Sequence, residues 1–364
     1  MTKSRKIALL TGGGDCPGIN AVIRAVTKKA ILEHDMEVIG FEDGYEGVIQ
    51  NRHRQLRYDD VSGILTVGGT ILGTSKTANP YSYAVDGGGD GAEFEDVSNT
   101  AVKNIENLGI ECLVCIGGDG TLNIAYRLSR DGILIVGVPK TIDNDLRGTD
   151  VTFGFDSAVS IATEGIDRIH STAQSHHRVM IVEVMGNRAG WLALHSGVAG
   201  GGDVIIIPEI PYEIEAIADK VEERNRKGKR FSIVVVAEGA KPLGGDVVIQ
   251  RIVKSSTEPT RLGGIGFVLG SQIEDATGIE TRTVVMGHLQ RGGSPTAFDR
   301  VLATRLGTKA VDLIERKEFG QMVGVRGESL VNVPLEEVAI GPKTVWPDHP
   351  LIRAGRAVGT CFGD

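Results

Sequence analysis

Asp143 and Asp145 stand two residues apart in Pro139-Lys140-Thr141-Ile142-Asp143-Asn144-Asp145, directly after an apolar run at 133–138. In an extended loop, carboxylates at that spacing point the same way and reach one site. Transfer of a phosphoryl group uses such a pair. One carboxylate holds a divalent cation against phosphate oxygens, and the other accepts the attacking hydroxyl's proton. Alone, Asp-Asn-Asp reads as readily as a solvated turn. A neighbouring segment narrows the choice. Gly117-Gly118-Asp119-Gly120-Thr121 offers backbone amides and a third carboxylate at the end of a predicted strand, where α/β sheets bind ligands. A second glycine-rich turn, Thr11-Gly12-Gly13-Gly14-Asp15-Cys16-Pro17-Gly18-Ile19-Asn20, also joins strand to helix. Amides at a helix start hold phosphate oxygens, although such a turn by itself serves structure as often as binding. It matches neither the Rossmann fingerprint nor the Walker A pattern.

These loops need elements to hold them. Apolar, β-branched runs at 6–11, 37–41, 111–116, 133–138, 179–184, 204–207, 231–237 and 283–286 read as strands. Helical patterns at 21–33, 122–130, 214–226 and 297–316 separate or follow them. Continuous rather than alternating hydrophobicity implies strands buried on both faces, and the alternation with helices implies a doubly wound α/β fold. Residues 79–99, with Asp86-Gly87-Gly88-Gly89-Asp90-Gly91, break the rhythm and read as a flexible surface loop without strand or helix.

The chain has 364 residues, enough for about two domains. Its 41% hydrophobic and 24% charged residues exclude wholesale disorder. Fifty glycines, about twice the usual share, mark tight turns and close backbone approaches. A net charge of −8 argues against nonspecific nucleic-acid or anionic-membrane binding, yet leaves room for anionic metabolites at a local arginine cluster. No apolar run approaches the ~18 residues of a membrane span, and the N-terminus lacks a signal-peptide core. A cytoplasmic protein is the expectation. Cys112 and Cys115 fall in a predicted buried strand without a second pair at ligand spacing, so structural zinc is not expected. Cys16, near a helix start, has a position that favours thiolate, although packing accounts for all four cysteines more simply.

The Gly-Gly-Asp-Gly-Thr element is shared by phosphofructokinases, NAD kinases and diacylglycerol-type lipid kinases. The ordered set GGGDCPGIN, GGTILGTSK, GGDGT, PKTIDND, SHHR, EVMG and GHLQRGGSPTAFDR, spanning residues 12–300, resembles the 6-phosphofructokinases specifically. The tail from Gly341-Pro342-Lys343 onward resembles the branch that carries PKTIDND. The resemblance implies two Rossmann-like domains with mainly parallel sheets. Residues 1–154 with about 289–335 would take the phosphoryl donor, and 155–288 with about 336–364 would take fructose 6-phosphate. Asp143 is then the base for the sugar's C1 hydroxyl, Asp119 and Asp145 serve Mg²⁺, and Thr141 bonds near the transferred group. Gly13, Gly120 and Thr121 would line the donor phosphates, with Lys140 beside them and Tyr45 and Thr77 nearer the nucleoside. Arg178, Arg282, His288 and Arg291 would bind the sugar phosphate. Met185, Gly186, Asn187 and Glu238 would meet the sugar itself. ATP is the expected donor, with pyrophosphate as the alternative and an inactive sugar-phosphate sensor as the reading outside enzymes. A homodimer or homotetramer with shared sites is implied.

Two positions depart from the family pattern. Lys76 replaces the usual arginine of the GGT-x-LG motif and keeps charge without the bidentate fork. Asn187 replaces the arginine after Met-Gly, and Arg188 is expected to take over that role. Arg24 and Lys28 share a face of the first helix, where family members bind effectors; a solvated face explains them equally well.

Overall fold

The computed structural model describes residues 5–85, 93–253 and 260–364. From the N-terminus run β1 (Lys6–Thr11), α1 (Ile19–His34), β2 (Glu37–Phe41), α2 (Tyr45–Gln50) and β3 (His53–Gln55). A small ribbon, β4 (Tyr83–Ala84) with β5 (Phe94–Glu95), precedes α3 (Ser98–Asn107), β6 (Cys112–Gly117), α4 (Asp119–Arg130) and β7 (Ile135–Pro139). The next half begins with α5 (Phe155–His176), β8 (Val179–Val184), α6 (Trp191–Ala199) and β9 (Val204–Ile206). It continues through α7 (Ile214–Arg226), β10 (Ser232–Ala237) and a second ribbon, β11 (Ile249–Ile252) with β12 (Thr260–Leu262). α8 (Ile265–Thr277) and β13 (Thr281–Val285) follow. The chain then passes through α9 (Ala297–Glu315), β14 (Gln321–Arg326), β15 (Ser329–Pro334), α10 (Leu335–Val338) and α11 (Pro350–Ala357).

The strands form two main sheets. The first has the order β15-β14-β7-β6-β1-β2-β3, parallel except at its edges β15 and β3. The second, β13-β8-β10-β9, is wholly parallel. Every residue of β6, β8 and β10 is buried, as continuous apolar strands between two helix layers must be. Successive side chains serve opposite faces. Leu9, Val114 and Val136 join a core that runs on into the second sheet through Val182 and Val235. Leu10, Leu113 and Ile135 pack on the other face with α4 residues such as Leu122 and Leu128. Connections leave β1 toward β2 on one side and β6 lies on its other side, so the sheet carries its reversal of order at β1/β6. That is where an open α/β sheet leaves a crevice beyond its strand ends.

Two expectations are corrected. Residues 79–99 are not devoid of regular structure: Tyr83–Ala84 pairs antiparallel with Phe94–Glu95, and α3 begins at Ser98. Tyr81, Tyr83 and Val97 pack on the core, and Asp96 accepts the Ser98 amide at 2.9 Å to start the helix. The stretch from Asp86 to Gly91 lies outside the described residues. Helix α4 also starts at Asp119 rather than 122, so Asp119, Gly120 and Thr121 form its first turn, at the positive end of the helix dipole. No described helix is long and apolar enough to cross a membrane.

Candidate active site

The loops after β1, β6 and β7 face those after β8, β10 and β13 across one cavity of about 850 Å³. On the first-sheet side, the glycine turns are shaped by what approaches them. A side chain at position 117 would lie 2.3 Å from Thr121, so glycine lets that threonine tuck under the end of β6. A side chain at position 14 would lie 2.6 Å from the Arg291 guanidinium and 3.1 Å from the Lys76 stem. Gly13 lines the cavity, but its amide donates to the Ser75 carbonyl at 3.1 Å and Gly12's to Ile116 at 3.0 Å. The amides of Gly12 and Gly13 are therefore already engaged. Lys140 instead brings charge to this turn: its ammonium donates to the Gly14 carbonyl. Burial, with Arg291 and Lys76 nearby, pushes Lys140 down to about 8. Tyr45 forms part of the wall, its buried hydroxyl donating to the Thr121 carbonyl at 2.8 Å.

The carboxylate loop is bent rather than extended. Asn144 adopts a left-handed φ of 51°, and Asp143's amide donates to Thr141 Oγ1 at 3.0 Å. Asn144 is held there by the Thr152 amide at 3.1 Å and by its own bond to the Asp150 carbonyl at 3.3 Å. The turn still brings Asp143 and Asp145 to the same cavity, joined by Asp119 from α4. Burial pushes Asp145 up to about 7, with the charges of Asp143 and Asp119 adding to it. Three carboxylates thus gather at one end of a cavity whose wall also carries Lys76, Lys140 and Arg291.

The facing side is built from Met185, Asn187, Glu238, His288 and Arg291, all on the cavity wall. Glu238 accepts the Asn187 amide at 3.0 Å, and Arg291 donates to the Asp15 carbonyl at 3.1 Å across the cleft. Buried Gln290, to which no spacing points, accepts the Met185 amide at 2.9 Å and fixes that turn. Burial pushes Glu238 up to about 7. Its folded value lies above its ordinary one of 4.5, so its stabilising effect is complete at acid pH and lost as pH rises toward 7. Glu238→Gln removes that loss: its melting temperature should exceed wild type at pH 8 and approach it as pH falls to about 4. Equal melting curves at both values would count against a buried charge at Glu238.

Other expected residues lie elsewhere. Thr77 is exposed, while Ser75 and Ala78 on either side line the cavity. Gly186 is buried in the turn, its carbonyl accepting the Ala189 amide at 2.9 Å. Arg188 is exposed and off the wall, so Asn187, not Arg188, occupies the site position. Arg178 and Arg282 sit at the opening ends of β8 and β13, roughly 20 Å of strand from the cleft. Both pair with Glu280. Cys16 is no thiolate, because burial pushes its thiol up to about 12. Lys28 stacks on the Tyr58 ring, and neither it nor Arg24 lines the cleft. Ribbon β11/β12 adds Arg251 and Arg261, paired across it, to the wall. Their segment matches none of the motifs above, and no spacing points to it.

The phosphofructokinase family model matches residues 6–314. An ATP-dependent 6-phosphofructokinase 2 of Clostridium perfringens is 51% identical, covering 100% of both chains. A pyrophosphate--fructose 6-phosphate 1-phosphotransferase of Amycolatopsis methanolica is also 51% identical, over 94% of this chain and 97% of that one. The crystal structure of Pichia pastoris phosphofructokinase in the T-state superposes with a TM-score of 0.79 at 32% identity, over 93% of this chain and 36% of that longer one. With motifs, fold and cleft in agreement with these matches, the chain belongs to the phosphofructokinase family.

Proposed function

We propose that the chain transfers the terminal phosphoryl group of ATP to the C1 hydroxyl of fructose 6-phosphate, giving fructose 1,6-bisphosphate and ADP. The observation that carries this is the meeting, in one cavity, of Asp119, Asp143 and Asp145 with Lys76, Lys140 and Arg291. Asp143 accepts the hydroxyl proton as the oxygen attacks. Lys76, Lys140 and Arg291 offset charge on the moving phosphoryl group, and Thr141 orients the loop. Asp119 and Asp145 would hold Mg²⁺. Among the described residues no three His, Cys, Asp or Glu side chains gather into a metal cage, so phosphate oxygens and water would have to complete the ion's shell. When bound, Mg²⁺ neutralises phosphate charge and orients the donor. Purified protein with Mg²⁺, fructose 6-phosphate and ATP should form product. No product with ATP or with pyrophosphate would leave only a sugar-phosphate binder.

Arg178 and Arg282 act in the site of a neighbouring copy, in a homo-oligomer. Within one chain they face away from the cleft, while paired arginines suit a phosphate held by two forks. Arg282→Ala should raise the KM for fructose 6-phosphate about 10- to 100-fold, with a smaller change in kcat. Mixed oligomers of Arg282→Ala with Asp143→Asn chains test the sharing. A hybrid has one site with neither defect, so mixing should restore activity. No recovery in verified hybrids would confine the arginine to its own chain.

A further inference from the structure

Residues 341–346 connect α10 to α11 without regular secondary structure and lie against the carboxylate loop. Lys343 grips that loop at two levels. Its amide donates to the Asp145 carbonyl at 2.6 Å. Its ammonium donates to the carbonyls of Thr149 at 2.9 Å and Asp150 at 3.1 Å, and to Asn144 Oδ1 at 3.4 Å. Three acceptors match the three protons of an ammonium group. Asn144 is the residue between the two carboxylates, held in a left-handed conformation that an ordinary side chain adopts only when its surroundings enforce it.

The same segment also grips the opposite side of the cleft. The Lys343 carbonyl accepts Trp191 Nε1 at 2.9 Å, at the start of α6. Two residues on, the Val345 amide donates to Glu209 at 2.8 Å, and Glu209 also accepts the Gly190 amide at 3.0 Å. Gly190 ends the turn that carries Met185 and Asn187. One short stretch of chain therefore ties the catalytic loop to the sugar-side turn.

We propose that Lys343 is a positioning residue for phosphoryl transfer, holding the Asp143–Asp145 loop in register with the turn that carries Met185 and Asn187. This rests on the reaction proposed above. Lys343 does not line the cavity itself. Its effect falls on the alignment of the attacking hydroxyl with the phosphoryl group, where a displacement of about 1 Å costs up to ~10²-fold.

Lys343→Met keeps the apolar stem and loses the ammonium. Its kcat should fall about 10- to 100-fold, with KM for both substrates within about threefold of wild type. Lys343→Ala should lose as much and regain part of it when ethylammonium is added. The chain's two tryptophans, Trp191 and Trp346, both lie at this bracket, 6.1 Å apart between ring centroids. Their emission should shift in Lys343→Met while the melting temperature shows the protein folded. Wild-type kcat in folded Lys343→Met, or a loss confined to KM, overturns the proposal. So does an unshifted emission, or a loss in Lys343→Ala that ethylammonium leaves untouched. Wild-type turnover is measured first. Its absence would overturn the reaction itself, while the tryptophan emission still reports on the bracket.

Discussion

Asp143→Asn should bind both substrates and turn over about 10²- to 10⁴-fold more slowly. Asparagine has the same shape and keeps the main-chain amide bond to Thr141 Oγ1 that folds the loop. It cannot accept a proton from the C1 hydroxyl as the bond to phosphorus forms. The loss therefore belongs in kcat rather than in KM, because the missing interaction exists only in the transition state. Removing one of three negative charges also relaxes Asp145, whose carboxyl is raised partly by Asp143. Binding of Mg²⁺ and nucleotide can then change modestly in either direction while the fall in turnover persists. Steady-state kinetics with calorimetric titration of each substrate separates the two effects. A kcat within a few-fold of wild type would reject Asp143 as the base.

Much of this is legible in the sequence because parallel strands buried on both faces leave a plain signature. Each expected strand core is present with ends shifted by a residue or two, as with 133–138 against Ile135–Pro139. Parallel strands also oblige their following loops to meet at one edge, so residues as distant as Gly13, Asp143 and Arg291 can be assigned to one site. What stays hidden has a different origin. The ribbon β11/β12 is short and at most half-buried, with Ile249 and Ile252 exposed, so it lacks the long buried apolar run that marks the sheet strands, and Arg251 and Arg261 are hidden with it. Charge alone favours Arg188 over Asn187. The turn after Gly186, whose φ is 141°, leaves Asn187 on the wall and carries Arg188 to the surface. Arg178 and Arg282 show a further limit. Motif order places them in a site, but strand direction puts them at the far end of their own chain. The fold alone shows that distance, and the shared sites that the resemblance implies would accommodate it.

Gly120→Asp should suppress ATP use far more than any residual pyrophosphate use. Relatives named for ATP prevail among those about half identical to this chain, although one named for pyrophosphate is 51% identical as well. The choice must rest on local chemistry, and two residues pull in different directions. Gly120, in the first turn of α4, lines the cavity beside Asp119 and Thr121. An aspartate there would bring a side chain and a negative charge to the path of a nucleotide's inner phosphate. ATP would be excluded by bulk and by repulsion, whereas pyrophosphate has no inner phosphate to place. Lys140 pulls toward pyrophosphate by offering a cation to a terminal oxygen. Its ammonium is anchored on the Gly14 carbonyl, however, and burial has already lowered its affinity for a proton to about 8. A cation fixed at one turn attracts the end of either donor and blocks neither. An obstruction discriminates more sharply than an attraction shared by both, so the absence of one at Gly120 should favour ATP. The measurement is kcat/KM for each donor at matched Mg²⁺, in wild type and in Gly120→Asp. Wild type should prefer ATP, and the substitution should cut its ATP value by at least about 10²-fold, the cost of a buried like charge set against phosphate. Wild-type turnover with pyrophosphate and none with ATP would place the choice on Lys140 instead.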